Sequence, residues 1–343
     1  MNPFMATLIL STLALGTMIT LSSYHWVLAW IGLELNTLSI IPIIAKQHHP
    51  RATEATTKYF LVQAAASATL MFSSTINAWS TGTWDIMQLT NPAACIMLTL
   101  ALSMKLGLAP LHLWLPEVLQ GSTLKTALII ITWQKLAPAA LLYLTHHSLN
   151  PTALLSMGLL STLVGGWGGL NQTQTRKIMA YSSIAHLGWM ATILTISPNI
   201  MILNLSLYLL MTFSTLMALM FTTSKTMKDL STTWATSPTM ATLLLILLMS
   251  MGGLPPLTGF MPKWLILQEL ITHNLTPLAT TMALSTLLSL FFYLRISYIT
   301  ALTLSPSSPQ NKLKWRFHPK LKMMTMAITF TLSALLLPIT PMF

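Results

Sequence analysis

The sequence predicts an all-α polytopic membrane protein with about eleven transmembrane helices: two inverted five-helix repeats, each holding a broken helix, and one carboxyl-terminal helix. Three observations predict it. Apolar residues make up 54% of the 343 residues and charged residues only 7%, against roughly 25% charged in ordinary soluble chains. A soluble fold of this size could not cover its surface with so few charges. Apolar runs of about 20 residues recur from end to end, the length that crosses a bilayer as a helix. They are too long and too uniformly apolar for the alternating strands of a barrel, the other structure that satisfies its backbone in lipid. The basic residues, finally, sort onto one side of the expected membrane.

The spans read in order as 3–23, 26–45, 57–79, 93–115, 124–144, 152–170, 177–196, 199–223, 240–270, 276–302 and 323–343. The first opens on Met1 and an apolar run, with no basic leader and no small-residue cleavage site, so it is expected to stay. Pro92, Pro151, Pro198 and Pro277 stand at or near helix starts, where a missing N–H costs nothing. Trp26, Trp79, Trp84, Trp234 and Trp315 fall near span ends, as an aromatic belt requires. Residues 303–322 form the longest polar stretch and read as a surface connection. The expected organisation is a core at 1–302, with repeats at 1–150 and 151–302, followed by the loop and last helix at 303–343.

Counting residues at the helix ends with the adjoining connection, three of the 17 basic residues remain inside spans. All the others belong to connections after even-numbered spans, from Lys46 and Arg51 through Lys225 and Lys228 to the cluster at Lys312–Lys322. The positive-inside rule puts that side on the cytoplasm, or on the matrix of a mitochondrion. The amino terminus is then inside and the carboxyl terminus outside. The net charge of +11 is mostly topology, so nucleic acid is not an expected partner. The single cysteine, Cys95, excludes a disulfide framework and a cysteine-held iron–sulfur cluster or zinc. No bound cofactor is expected. Abundant Leu, Thr and Met with almost no Cys fits an organelle-encoded membrane protein.

The three intramembrane bases are Lys105, in ALSMKLGLAP, Lys135, in ITWQKLAPAA, and Lys263, in GFMPKWLILQ. Glu34, in AWIGLELNTL, sits among them in the second span. Each charge at the bilayer centre costs about 2.5–3.5 kcal/mol on insertion scales. Four of them cost on the order of 10 kcal/mol, as much as a whole domain's stability. Pairing, water or function must offset that. Ion pairs fixing helix packing are the plain alternative, but three lysines cannot all pair with one carboxylate, and a short glutamate cannot snorkel from mid-span.

Two proline-rich segments interrupt apolar spans: GLAPLHLWLPE at 107–117 and GLPPLTGFMPK at 253–263. They align without gaps at an offset of 146, matching Gly107 with Gly253, Pro110 with Pro256 and Pro116 with Pro262. A weaker echo pairs Tyr59 with Tyr208. Five helices per copy gives the copies opposite topology. Inverted repeats with broken helices at matching places point to an ion path, because freed carbonyls survive mid-membrane only beside protein or water. Simple proline kinks are the alternative. His186, behind Ser182 and Ser183, is a candidate proton relay or a histidine bonded to a carbonyl. His112, inside the first break, is a second candidate relay. GGWGGL at 165–170 lacks a preceding strand and reads as close helix packing. Glu54, Asp85, Glu117, Asp229 and Glu269 fall near interfaces as solvated charges, with Glu117 set apart as the repeat counterpart of Lys263.

At these residues the chain resembles the chain 2 family of mitochondrial NADH–ubiquinone oxidoreductase, the antiporter-like membrane subunits of respiratory complex I. The resemblance rests on the Glu34 helix, MKLGLAPLHLWLPE, TWQKLAP, RKIMAYSSIAHLGWM and GGLPPLTGFMPKW, and covers essentially the whole chain. It implies a hydrated axis of one glutamate and several lysines for protons, by position Glu34, Lys105, Lys135 and Lys263. It implies partners among the membrane-arm subunits, including neighbouring antiporter-like ones, and lipids. The family's fuller members have about three more amino-terminal helices, and their lack here matches the shortened animal form. Redox chemistry elsewhere in the complex would drive the protons by moving Glu34 away from Lys105. A stand-alone cation/proton antiporter and a purely structural subunit remain as alternatives.

Overall fold

The computed structural model describes residues 2–46, 48–301 and 323–334. These residues are all-helical, apart from isolated β-bridges joining His25 to Asp85 and Gln174 to Thr226. By contact the chain divides into two compact units, one reaching Ser161 and including Leu194–Pro198, the other formed by Thr162–Ile193 and the described residues from Asn199 on.

The first unit contains α1 (Pro3–Ser22), α2 (Trp26–Ala45), α3 (Pro50–Thr81), α4 (Pro92–Leu106), α5 (Trp114–Gly121), α6 (Leu124–Ile131), a 3-10 turn at Trp133–Lys135, α7 (Leu136–Thr145) and most of α8 (Pro151–Gly169). Proline opens α1, α3 and α4, and the side chains of His25, His49 and Asn91 cap α2, α3 and α4. The helices α1 and α2 cross at Gly16 and Gly32, where an added Cβ on either would lie 2.8 Å from the other's carbonyl oxygen. Only glycine permits that approach. The outer side of α1 leaves Phe4, Leu8, Leu15 and Met18 exposed, an apolar face suited to lipid or to a neighbouring subunit.

The second unit holds the end of α8, α9 (Thr175–Leu194), α10 (Pro198–Thr222), α11 (Met227–Thr236), α12 (Pro238–Gly252), α13 (Phe260–Thr272), α14 (Thr276–Ala301) and α15 (Met323–Ala334). The glycine run of α8 packs as expected. A Cβ on Gly165 would lie 2.7 Å from the Ala185 nitrogen, and one on Gly168 would strike the Tyr181 ring at 2.3 Å.

Among the described residues six helices are long and apolar enough to cross a membrane, so a polytopic membrane protein stands while the count of about eleven spans goes further than they show. The splits of 93–115 into α4 and α5, and of 240–270 into α12 and α13, fall at the two proline segments. The span 124–144 is borne out as the apolar helix Leu124–Thr145, which a 3-10 turn interrupts at Trp133–Lys135, because Pro138 cannot donate to the Gln134 carbonyl and Thr132 turns its hydroxyl back to Leu128 O at 2.7 Å. Two expectations need correction. The connection after α10 contains α11, which a reading for apolar runs passes over. Trp26 is buried, its backbone N–H donating to Trp84 O at 3.1 Å, and so is no part of an aromatic belt. The loop 303–322 with Trp315, and the last span beyond Ala334, lie outside the described residues.

Candidate functional site

The first break begins at Gly107, whose φ of 81° ends α4 in a left-handed turn. The N–H groups of Gly107 and Leu108 both donate to Ser103 O, at 2.8 and 3.0 Å. Trp114 Nε1 donates to Met104 O at 3.1 Å, satisfying a carbonyl that the interrupted helix releases. The second break repeats this backbone pattern at the offset of 146. Gly253 has a φ of 82°, and the N–H groups of Gly253 and Leu254 donate to Met249 O at 3.1 and 3.4 Å. Its released carbonyl, Gly252 O, accepts instead from Lys263 Nζ at 2.7 Å.

Each of the three lysines thus sits at a helix end or break. Lys105 is in the last turn of α4, 5% exposed, where the carbonyl end of the helix favours a cation. Its Nζ is buried without a hydrogen-bond partner. Lys135 is 3% exposed and closes the 3-10 turn between α6 and α7. The sequence places it near the middle of its span, and the structure adds the 3-10 turn there. Lys263 lies in the first turn of α13, its aliphatic stem packed across Gly253.

Glu34 is in the middle of α2, half-buried, within electrostatic reach of Lys105 and Tyr59. No hydrogen bond joins it directly to Lys105. Its carboxylate accepts from Thr37 Oγ1 at 3.0 Å. Lys105 faces a small cavity with Asn36, Thr37, Tyr59, Gln63 and Gln134. Gln134 Nε2 donates to Asn36 O at 3.2 Å, so the break carrying Lys135 is tied to α2. These amides and hydroxyls escaped the sequence reading, which followed formal charges. Their signal was polar residues adjoining the charged ones, Asn36 and Thr37 after Glu34 and Gln134 before Lys135.

The other expected residues are placed as follows. His112 Nδ1 lies 3.2 Å from Pro110 O, inside its own break. His186 is buried in α9 with its ring against Tyr208, centroids 5.4 Å apart. The Ser182 and Ser183 hydroxyls donate to carbonyls of their own helix, at 2.8 and 2.7 Å. Glu117 joins Lys58 at 2.7 Å, and the same Lys58 holds Glu54 at 2.6 Å. Both carboxylates are exposed, and the trio ties α3 to α5.

Comparison with known proteins bears on the family and the fold. Residues 23–289 match the family model described as NADH:quinone oxidoreductase/Mrp antiporter, transmembrane, and residues 290–343 match NADH dehydrogenase subunit 2 C-terminus. The NADH-ubiquinone oxidoreductase chain 2 of Xenopus laevis is 56% identical over 342 residues, covering 100% of this chain and 99% of the relative. That of Varanus timorensis is 58% identical, with the same coverage. A chain of respiratory complex I from Thermus thermophilus, solved with bound aureothin, superposes with a TM-score of 0.81 at 27% identity, over 96% of this chain and 79% of that one. A chain of the Mrp complex from a Dietzia species shares the fold alone, with a TM-score of 0.79 at 17% identity over 87% of this chain and 60% of its own. The chain belongs to the NADH:quinone oxidoreductase/Mrp antiporter family, among its NADH-ubiquinone oxidoreductase chain 2 members.

Proposed function

We propose that Glu34, Lys105, Lys135 and Lys263 are the proton carriers of this chain, with His186 and His112 as side relays. The chain itself is a proton-translocating membrane subunit of respiratory NADH:ubiquinone oxidoreductase. The observation that carries the assignment of residues is that every intramembrane lysine stands at a helix end or break. Such ends offer polar backbone that an unbroken helix hides, and a charge there can be solvated as it forms and disappears.

In this reading the driving event is electrostatic. At an effective dielectric near 20, moving a carboxylate from ~4 to ~8 Å from an ammonium removes about 2 kcal/mol of attraction. Withdrawal of Glu34 therefore frees the Lys105 proton, which passes to Lys135 and onward to Lys263. Redox chemistry in other subunits supplies the movement, and this chain binds no cofactor of its own. The finer topology belongs to the same proposal: eleven spans in the mitochondrial inner membrane, two inverted five-helix repeats, the amino terminus in the matrix and the carboxyl terminus in the intermembrane space. Its partners are the adjoining membrane-arm subunits and lipid, and not nucleic acid.

The test is proton translocation by the reconstituted complex carrying Lys135→Met. The expected result is fewer protons per electron with assembly intact. An unchanged ratio removes Lys135 as an obligatory carrier. Glu34→Gln in an assembled complex separates transport from a merely structural role, and co-purification with many partners separates a complex subunit from a stand-alone antiporter.

A further inference from the structure

The start of α2 is held by a side chain that can change its charge. His25 is the N-cap, and the lone pair of its Nδ1 accepts from the Val27 N–H at 3.1 Å. The proton of the neutral ring is then on Nε2. The ring lies along the indole of Trp84, with centroids 5.7 Å apart and planes 10° from parallel. An antiparallel bridge joins the two segments and sets His25 opposite Asp85. It is closed by the backbone N–H of Trp26 donating to Trp84 O at 3.1 Å and that of Ile86 donating to Tyr24 O at 3.0 Å. Trp26 and Ile86 are buried beneath the bridge, while His25 and Asp85 are exposed.

We infer that His25 is a pH-sensitive switch at the start of α2, capping the helix when neutral and turning to Asp85 when charged. One proton from solvent, added at Nδ1, makes an imidazolium with two N–H groups and no acceptor. The Val27 N–H then loses its partner. The new cation also stands at the positive end of the helix dipole, where its sign is unfavourable. Asp85, across the bridge, offers the carboxylate that the charged ring needs, and the face of Trp84 attracts a cation at this distance. The titratable groups beside His25 are Asp85, from the connection after α3, and the exposed Tyr24 on its own segment. The last turn of α1 has no basic residue and the first turn of α2 no acidic one. An imidazole ordinarily changes charge between about pH 5 and 8, so the change falls near neutrality. The helix whose anchorage answers to pH is also the one that carries Glu34.

The experiment is hydrogen exchange in the assembled complex between about pH 8 and about pH 5.5. It is read at the amides of residues 27–30 and corrected for the intrinsic pH dependence of exchange. Protection there is expected to fall about fivefold on acidification, the scale of one lost N-cap. His25→Asn, a cap that does not titrate, is expected to keep its protection throughout, and His25→Ala to lack it throughout. If His25→Asn and the unaltered chain respond to pH alike, whether both fall or neither does, the switch is overturned. Asp85→Asn removes the partner of the charged ring, so its loss of protection is expected at lower pH than in the unaltered chain. An unmoved midpoint overturns Asp85 as the second seat of the ring. Should His25→Asn fail to assemble, His25→Ser, also a cap without a titrating group, takes its place on the same terms.

Discussion

Lys105 and Gly253 show how single residues carry this molecule. Lys105 places an ammonium in a cavity without a direct partner, so its removal should cost little stability, since burying an unpaired charge is itself expensive. Lys105→Met is expected to assemble at wild-type levels and to lose proton translocation, measured by complex yield on native gels and by pumping in proteoliposomes. Gly253 behaves in the opposite way. Its φ of 82° already disfavours a side chain, and a Cβ would lie 2.8 Å from Lys263 Nζ. Gly82 shares the left-handed conformation, with φ 74°, but has nothing within 4 Å. Gly82→Ala should therefore cost only the backbone strain, about 1–2 kcal/mol, and Gly253→Ala clearly more, as read by thermal inactivation of the complex. The charged members of the site were legible in the sequence because a charge in an apolar run has no innocuous reading. Asn36, Thr37 and Gln134 were not, because a neutral polar side chain in such a run is ordinary until its neighbours are known.

At the scale of the element, the break between α6 and α7 and the short helix α11 both come from local chemistry that apolar counting misses. Pro138 withholds the N–H that Gln134 O would accept, and Gln134 uses its side chain to hold the break against Asn36 O. Pro138→Ala restores the donor. It is expected to lengthen α7 toward α6, and to lower pumping through the displaced Lys135 while assembly persists. Hydrogen exchange across residues 132–138 would register the change as added protection. In α11, Thr226 and Asp229 form a capping box, and that spacing was readable from the sequence as the start of a helix. Thr226→Ala should destabilise this helix by about 1 kcal/mol. Burial opposes the Asp229 carboxylate, but the backbone N–H groups of Thr226 and Lys225 donate to it and hold its pKa below the usual carboxylate value. A depressed carboxylate contributes stability that is complete above its unfolded pKa and lost as pH falls through its folded one. Exchange of the α11 amides should therefore quicken on acidification below about pH 4, and Asp229→Asn should flatten that response.

For the whole molecule, composition decided the class and proline decided where it bends. The sidedness of lysine and arginine fixes an expected orientation that labelling can check. In a Cys95→Ala background, Lys228→Cys should react with an impermeant maleimide from the matrix side and Met87→Cys from the opposite side. The reverse pattern would invert the topology. The two units share the backbone of their breaks, down to the carbonyl that accepts twice, yet close them with different groups. An indole does so in one half and an amine in the other. An indole never changes charge. An amine does, but it keeps N–H bonds after giving up its proton. The Lys263 tie to Gly252 O is therefore available in both protonation states, and the polypeptide there need not rearrange between them. On the proposed path, Lys263 can take up and give up its proton beside Gly252 O with the backbone there unchanged.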